Sequence, residues 1–97
     1  IAVWRKKTPG SDLTVDYLVS LWEKQKGLCY YTGLKMNWRA NKIEKLGMSL
    51  DRVNPSLGYI QGNVVFCCYL VNTMKWQHSE KEFYKFMKKI LRYKNRI

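Results

Sequence analysis

The chain has 97 residues, of which 46% are hydrophobic and four are Trp. This length and composition exclude a disordered segment and predict one domain, 1–97, around a single core. Eighteen Lys and Arg against seven Asp and Glu give a net charge of +11. Such an excess favours a polyanionic partner, because binding releases the counterions of the polyanion. An anionic membrane surface, an acidic protein or no partner at all would also accommodate the charge.

Cysteine usage and the apolar runs bear on location. The chain has three Cys, an odd number, and no signal-like segment, which argues against a secreted module framed by disulfides. The longest apolar run, VVFCCYLV, is far too short to span a bilayer. We therefore expect an intracellular protein without a membrane partner. Because the first residue is Ile1 rather than Met, we also expect a fragment, a processed product or an excised domain.

The first half of the chain predicts one clear helix. Residues 1–10 form a basic lead-in that ends in a Pro-Gly turn. Thr14 is a candidate N-cap for a helix that Gly27 ends. The apolar side chains that the helical spacing places on one face are Val15, Leu18, Leu21 and Trp22. Residues 28–36 are rich in β-formers around Thr-Gly and predict a short strand, a turn and a strand, and 37–47 predict a surface loop.

The next part of the chain predicts two strands and a helix. MSLDRV, residues 48–53, alternates as a strand does, and NVVF, residues 63–66, is a second strand. NPSLGYIQG, residues 54–62, carries Asn-Pro and two Gly and predicts a turn or long loop between them. CCYLVNTMKW, residues 67–76, is interpreted as a helix, although its periodicity also allows a longer strand.

The last helix has the clearest signals. Ser79 and Glu82 form a capping box. An apolar stripe follows, made of Phe83, Phe86, Met87, Ile90 and Leu91. The opposite side carries Lys81, Lys85, Lys88 and Arg92. The stripe predicts a packed helix, and the basic side is either a solvated face or a contact to nucleic-acid phosphates.

Polar side chains in the middle of the chain point to a metal site. Asp51 is the only acid between Lys45 and Ser79, and Asn72 lies nine residues beyond Asn63 on the predicted helix. If the strands and the helix fold back on one another, Asp51 and Asn72 offer two oxygens to one hard cation, for which Mg²⁺ is suited. Such an ion stabilises the charge that develops during phosphodiester cleavage. The alternative is that Asn63 is a turn residue and Asn72 a polar surface position.

The ordered set of residues between Cys29 and Lys75 resembles the HNH endonucleases, a family with the ββα-metal fold. CYYTGLKM resembles the leading segment of the family, and SLDRV resembles its first motif. The resembling core, 29–76, covers about half of the chain. The resemblance implies a ββα-metal core. The residues outside it add an N-terminal helix and a C-terminal basic amphipathic helix, so that the expected fold class is α+β.

The resemblance also implies roles for single residues. Asp51 and Asn72 would bind one Mg²⁺ (or Mn²⁺) ion. Asn63 matches the central Asn of the catalytic motif and would brace the loop between the strands, and Lys75 matches a trailing Lys. The side chains that we expect to contact nucleic acid are Arg52, Lys75, Lys85, Lys88 and Arg92.

Arg52 is the main departure from the family pattern. The family usually has a His here, which serves as the general base, whereas a guanidinium stays protonated and can instead clamp a phosphate. The base would then be Tyr31 or Tyr30 with a phenol pKa lowered by a nearby cation, a hydroxide on the metal, or His78. Packing or a surface position is the alternative explanation for each of these three side chains.

The cysteines form the second departure. Some HNH proteins hold a structural zinc with two Cys-x-x-Cys pairs, but the corresponding segments here run from Cys29 to Thr32 and from Cys68 to Val71. Each has lost its second Cys, and a structural zinc needs four good ligands. We therefore expect no structural zinc and two buried thiols.

The residues and the resemblance together predict a metal-dependent endonuclease that hydrolyses DNA phosphodiester bonds with one metal ion. The expected partner is double-stranded DNA, and the domain acts either as a homodimer or as part of a larger protein. The expected location is the cytoplasm of a bacterium or of a phage-infected cell, or an organelle. The alternatives are a non-catalytic DNA-binding module that has lost its general base, and a structural or protein-binding domain.

Overall fold

The structure, a computed structural model, describes residues 11–39 and 44–95. The predicted lead-in 1–10 and part of the predicted loop, 40–43, lie outside the described residues. The elements of the described part are α1 (Val15–Gln25), β1 (Met48–Arg52), β2 (Val64–Cys68), α2 (Tyr69–Lys75) and α3 (Glu80–Asn95). A short 3-10 helix, Pro55–Leu57, lies between the strands. Helices beside one two-stranded antiparallel sheet confirm the α+β class.

Helix α1 begins where the sequence predicts. The Thr14 hydroxyl accepts a hydrogen bond from the backbone N–H of Tyr17 at 3.0 Å, which confirms the N-cap. The helix ends at Gln25. Lys26 and Gly27 then adopt left-handed backbone angles, with φ of 56° and 69°. Glycine takes this conformation without steric cost, so Gly27 completes the helix end.

Helix α1 lies against β2. Trp22 meets Phe66 edge to face, with ring centroids 5.4 Å apart. The Gln25 amide donates to the Phe66 carbonyl at 2.8 Å and accepts from the Phe66 N–H at 2.9 Å, so it satisfies the open edge of the sheet. Leu18 is buried on the same face, whereas Val15 in the first turn is exposed. The predicted apolar face therefore packs only from its second turn onward.

Residues 28–36 form a tight turn rather than the predicted pair of strands. A single bridge joins the two ends of the segment. Inside it, the Gly33 N–H donates to the Cys29 carbonyl at 2.8 Å. The Tyr30 N–H donates to the Phe66 carbonyl of β2 at 3.0 Å, so the turn is tied to the sheet instead of extending its own ladder. The prediction of two strands here is wrong for that reason.

Strands β1 and β2 pair in an antiparallel register that places Asp51 opposite Val65. Because side chains alternate along a strand, Asp51 and Ser49 point to one face and Arg52 to the other. Strand β2 runs on to Cys68, where we predicted helix, because its last residues pair with the start of β1. Helix α2 follows directly and lies across the face that carries Asp51.

The capping box at the start of α3 is confirmed. The Ser79 N–H donates to the Glu82 carboxylate at 2.9 Å, and the Glu82 N–H donates to Ser79 Oγ at 3.2 Å. Phe83 is buried and Met87 is half-buried. The remaining members of the apolar stripe, Phe86, Ile90 and Leu91, are exposed. The prediction of a fully packed stripe is therefore wrong, because α3 extends beyond the body of the protein after its first two turns.

None of the helices in the described ranges is long and apolar enough to cross a membrane.

The buried core joins α1, both strands, α2 and the first turn of α3. Aliphatic and aromatic side chains make up most of it, together with the thiols of three Cys. Asp51, Asn63 and Lys75 are buried with them. A buried polar group left without a partner costs about 1–3 kcal/mol. The partners of these three residues therefore define the polar part of the core.

Candidate functional site

Asp51 lies near the end of β1, with only 4% of its surface exposed. The Lys75 ammonium lies 3.2 Å from its Oδ1 and 3.1 Å from its Oδ2. The Tyr31 hydroxyl donates to Oδ2 at 2.5 Å. The carboxylate is thus held by a cation and a hydroxyl that come from two other parts of the chain.

Lys75 is fully buried, at 0% exposure. Besides Asp51, its ammonium contacts the Arg52 carbonyl at 2.9 Å. We expected this side chain to contact nucleic acid, but it lies inside the protein, where a phosphate cannot reach it in this arrangement. Removing one member of such a buried pair costs about 3–5 kcal/mol, because the other charge is left without compensation.

Asn72 is half-buried one helical turn before Lys75. Its Nδ2 donates to Ser49 Oγ and, at 3.3 Å, to the Leu50 carbonyl. Both acceptors belong to β1, the strand that carries Asp51. Within the described ranges, no hydrogen-bond donor reaches Asn72 Oδ1, which is the atom that could bind a cation. Asn72 is thus held against the strand that carries Asp51, and no hydrogen bond joins the two side chains in the described ranges.

The side chain of Asn63 braces the loop between the strands. Its Oδ1 accepts from the Asn54 N–H at 3.0 Å, and its Nδ2 donates to the carbonyls of Asn54 at 2.9 Å and Gly58 at 2.7 Å. Its own carbonyl accepts from the Val53 N–H at 2.9 Å. These contacts use the amide to fix backbone, so Asn63 positions the loop and does not exchange protons.

Arg52 points away from the face that carries Asp51. Its Nη1 donates to the Pro55 carbonyl at 3.1 Å, and its guanidinium lies 5.0 Å from the centre of the Tyr59 ring. The side chain is half-buried, so the loop holds the guanidinium while part of it still faces solvent. A cation stacked on an aromatic ring in this way keeps its remaining N–H groups available for a phosphate.

The two tyrosines considered as general bases are poorly suited to that task. Burial raises the pKa of Tyr31, and its hydrogen bond to Asp51 and the charge of that carboxylate raise it further. Burial and the neighbouring Glu80 raise the pKa of Tyr30, whose hydroxyl donates to the Glu80 carboxylate at 3.1 Å. A base needs a pKa lowered toward neutrality, and both shifts have the opposite sign. No lowering cation contacts either hydroxyl within the described ranges.

His78 and the basic residues of α3 lie at the surface. The His78 side chain is exposed beside Trp76, with ring centroids 6.1 Å apart. The three α3 side chains expected to contact nucleic acid, Lys85, Lys88 and Arg92, are all exposed. Their spacing places them on one side of the helix. The start of α3 is close to Asp51, because Phe83 packs on Tyr31 with centroids 5.9 Å apart.

The cysteines lie in the core behind the site. Cys29, Cys67 and Cys68 are buried free thiols, and Cys29 Sγ accepts a hydrogen bond from the Cys68 N–H at 3.3 Å. Burial, with a smaller effect of the Asp51 charge, raises the pKa of Cys67. These thiols therefore behave as small apolar side chains that join the turn at Cys29 to β2.

Sequence reasoning missed that Lys75 and Tyr31 bind Asp51. A signal was present, since Asp51 is the only acid between Lys45 and Ser79 and follows the apolar Leu50 on a predicted strand, and a carboxylate that becomes buried there needs a cation. Lys75, flanked by Met74 and Trp76, was the nearest cation on the following helix.

Comparison of the chain with protein-family models, with curated proteins and with solved structures finds no match.

Proposed function

We propose that the chain is a metal-dependent DNA endonuclease domain in which β1, β2 and α2 form a ββα-metal core. The observation that carries this proposal is the meeting of α2 with β1. Asn72 and Lys75, one helical turn apart, both bond the segment Met48–Arg52, which holds Asp51. Three positions of the HNH resemblance, Asp51, Asn72 and Lys75, thus lie where α2 meets β1, although up to 24 residues separate them in sequence.

The side chains where α2 meets β1 carry the type of ligand atom, oxygen, that a hard divalent cation prefers. Asp51 would supply a carboxylate and Asn72 the carboxamide oxygen that no described donor uses, and Mg²⁺ and Mn²⁺ prefer such oxygen ligands. Within residues 11–39 and 44–95, no three His, Cys, Asp or Glu side chains are grouped so that they could hold a metal ion by themselves. The other ligands of a bound ion would be water and substrate phosphate. When bound, the ion would supply the positive charge that activates water and stabilises the leaving oxygen.

The chain's own residues would position the nucleic acid. The half-exposed Arg52 guanidinium, held over Tyr59 on the other side of β1 from Asp51, would bind a phosphate beyond the cleaved bond. Asn63 keeps the adjoining loop in place, so that Arg52 retains its contact with the Pro55 carbonyl. The basic side of α3 would contact further phosphates without reading the base sequence.

His78 is the side chain to test as the general base. Tyr31 and Tyr30 hold their protons too tightly for this role. An imidazole can exchange a proton near neutral pH, and the His78 ring is exposed. Its backbone N–H donates to the Lys75 carbonyl at 3.0 Å, which keeps it next to the end of α2.

Nicking of supercoiled plasmid tests the proposal. We expect nicking by the wild-type chain with Mg²⁺ or Mn²⁺ and none with EDTA. Asp51→Asn keeps the shape of the side chain but removes its charge, and should lower the rate on the order of 100-fold. Because this variant leaves the Lys75 charge unpaired, the double variant Asp51→Asn/Lys75→Met serves as a folded control, checked by thermal unfolding. Nicking that survives in both variants, or in EDTA, would refute the metal site.

A second candidate is a DNA-binding module without catalytic activity. The specific observation in its favour is that Lys75 already neutralises Asp51, which leaves the carboxylate without free charge for a metal. In that case the wild-type chain should bind a short DNA duplex at low salt in the presence of EDTA. It should not nick plasmid, whichever divalent metal is added and at whatever concentration. Nicking that requires Mn²⁺ would exclude this candidate.

A further inference from the structure

The contact between Lys75 and Asp51 uses both oxygens of the carboxylate. The ammonium is 3.2 Å from Oδ1 and 3.1 Å from Oδ2, and it has no access to solvent. Tyr31 takes a further lone pair of Oδ2. An ammonium in this position supplies the positive charge that a metal ion on the same carboxylate would supply.

We infer that Lys75 is the resident counter-cation of Asp51, and that a divalent metal ion and the Lys75 ammonium compete for this carboxylate. This inference rests on the metal site of the proposed function. Two cations a few Å apart in a buried site repel each other strongly. Binding of one cation to the Asp51 carboxylate therefore lowers its affinity for the other. Metal binding therefore requires the ammonium to withdraw from Asp51.

The Lys75 ammonium has a second hydrogen-bond acceptor that it can keep when it leaves the Asp51 carboxylate. Its ammonium also bonds the Arg52 carbonyl at 2.9 Å, and the flexible four-carbon stem allows it to keep this contact while leaving the carboxylate. In the metal-free protein the ion pair keeps a buried Asp51 compensated and so supports the fold. Lys75 thus stabilises the metal-free state and lowers the affinity for metal.

Substitution of Lys75 tests the competition through metal binding rather than cleavage. Lys75→Met keeps an unbranched apolar stem and removes the charge. We expect its dissociation constant for Mn²⁺, measured by calorimetry on the full chain, to be at least about tenfold lower than that of the wild type. A matched control, Lys81→Met, removes an exposed charge from α3 and should change the constant less than about twofold, because salt screens it.

Lys75→Met lacks the ammonium beside Asp51, and a variant that folds only with a bound cation would give no calorimetric dissociation constant. Circular dichroism during a Mn²⁺ titration covers that case. Recovery of helical signal with Mn²⁺, and no recovery of Asp51→Asn/Lys75→Met beyond its metal-free signal, supports the competition. Failure of Mn²⁺ to bind or refold Lys75→Met, or equal Mn²⁺ affinity in the wild type and Lys75→Met, overturns it.

The two proposals can fail separately. If the wild type nicks plasmid with Mn²⁺ but Lys75→Met binds Mn²⁺ no more tightly, the competition is wrong and the endonuclease stands. If Lys75→Met gains affinity for Mn²⁺ while neither protein nicks plasmid, the competition stands and the endonuclease is wrong.

Discussion

A tyrosine beside a carboxylate behaves differently from a tyrosine beside a cation. From the sequence we predict that a nearby cation lowers the pKa of Tyr31 and makes it a base. In the structure its hydroxyl donates to Asp51, so burial and this carboxylate raise the pKa instead. Tyr31 is therefore a hydrogen-bond donor that helps to hold Asp51 in place.

The raised pKa of Tyr31 predicts a loss of stability at alkaline pH. Folded Tyr31 keeps its proton while unfolded Tyr31 loses it above about pH 10, so the free energy of unfolding falls as the pH rises beyond that value. One such group contributes a slope of about 1.4 kcal/mol per pH unit. Urea unfolding between pH 8 and 11 should show a shallower fall for Tyr31→Phe than for the wild type. Tyr93→Phe, at an exposed ring, is the matched control, and equal slopes for Tyr31→Phe and the wild type would contradict this role.

The role of Asn63 in bracing the loop could be predicted from the sequence, whereas the burial of Lys75 beside Asp51 could not. Asn63 follows Gly62 at the start of a strand, and the backbone groups that it bonds are only five to nine residues away. Lys75 lies 24 residues from Asp51, and its place depends on which face α2 turns toward β1. That face is decided by packing of the whole core, which periodicity over one short helix does not specify.

At the scale of elements, local signals in the sequence predict where the two longer helices begin. They do not predict the boundaries of the shorter elements. Thr14 and the capping box at Ser79 are contacts within one turn, so the sequence contains all of their parts. The boundary between β2 and α2 depends on pairing with β1, which carries β2 on to Cys68. In the same way, the turn at 28–36 depends on its bond to β2.

The exposed part of α3 leads to a prediction for its two phenylalanines. Phe83 is buried, whereas Phe86 is 61% exposed one turn later. Phe83→Ala should lower the free energy of unfolding by about 3–5 kcal/mol, because it opens a cavity in the core. Phe86→Ala, the matched control on the same helix, should change it by less than about 0.5 kcal/mol. Urea unfolding measures both, and a large effect of Phe86→Ala would show that the stripe is packed after all.

At the scale of the whole molecule, the positive charge is the property most relevant to a partner. The net charge of +11 attracts any polyanion, and α3 carries part of this charge away from the core. A general attraction of this kind depends on how many basic residues contact phosphate, not only on the total charge. The position of the charges can therefore be tested separately from their number.

Two triple variants make this comparison. The first replaces Lys85, Lys88 and Arg92 with Ala, and the control replaces Lys24, Lys35 and Lys45, which are also exposed, with Ala. Each removes the same charge. If α3 contacts DNA, the first variant should reduce the slope of log binding constant against log salt by about 2 to 3, since each phosphate contact contributes about 0.9. Fluorescence anisotropy with duplex DNA measures the slope, and an equal reduction in both variants would contradict a contact through α3.

The central claim is that Asn72 and Asp51 hold the metal ion of an endonuclease, and the most direct measurement is the Mg²⁺-dependent nicking rate of Asn72→Ala. The hydroxyl of the exposed neighbour Thr73 donates to the Leu70 carbonyl of its own helix and, in the described part of the chain, to no residue of β1, so Thr73→Ala is the matched control. The account predicts that Asn72→Ala nicks supercoiled plasmid on the order of 100-fold more slowly than the wild type, and that Thr73→Ala nicks at the wild-type rate. Equal rates for Asn72→Ala and the wild type, or no nicking by a folded wild-type chain with any divalent metal, would contradict it.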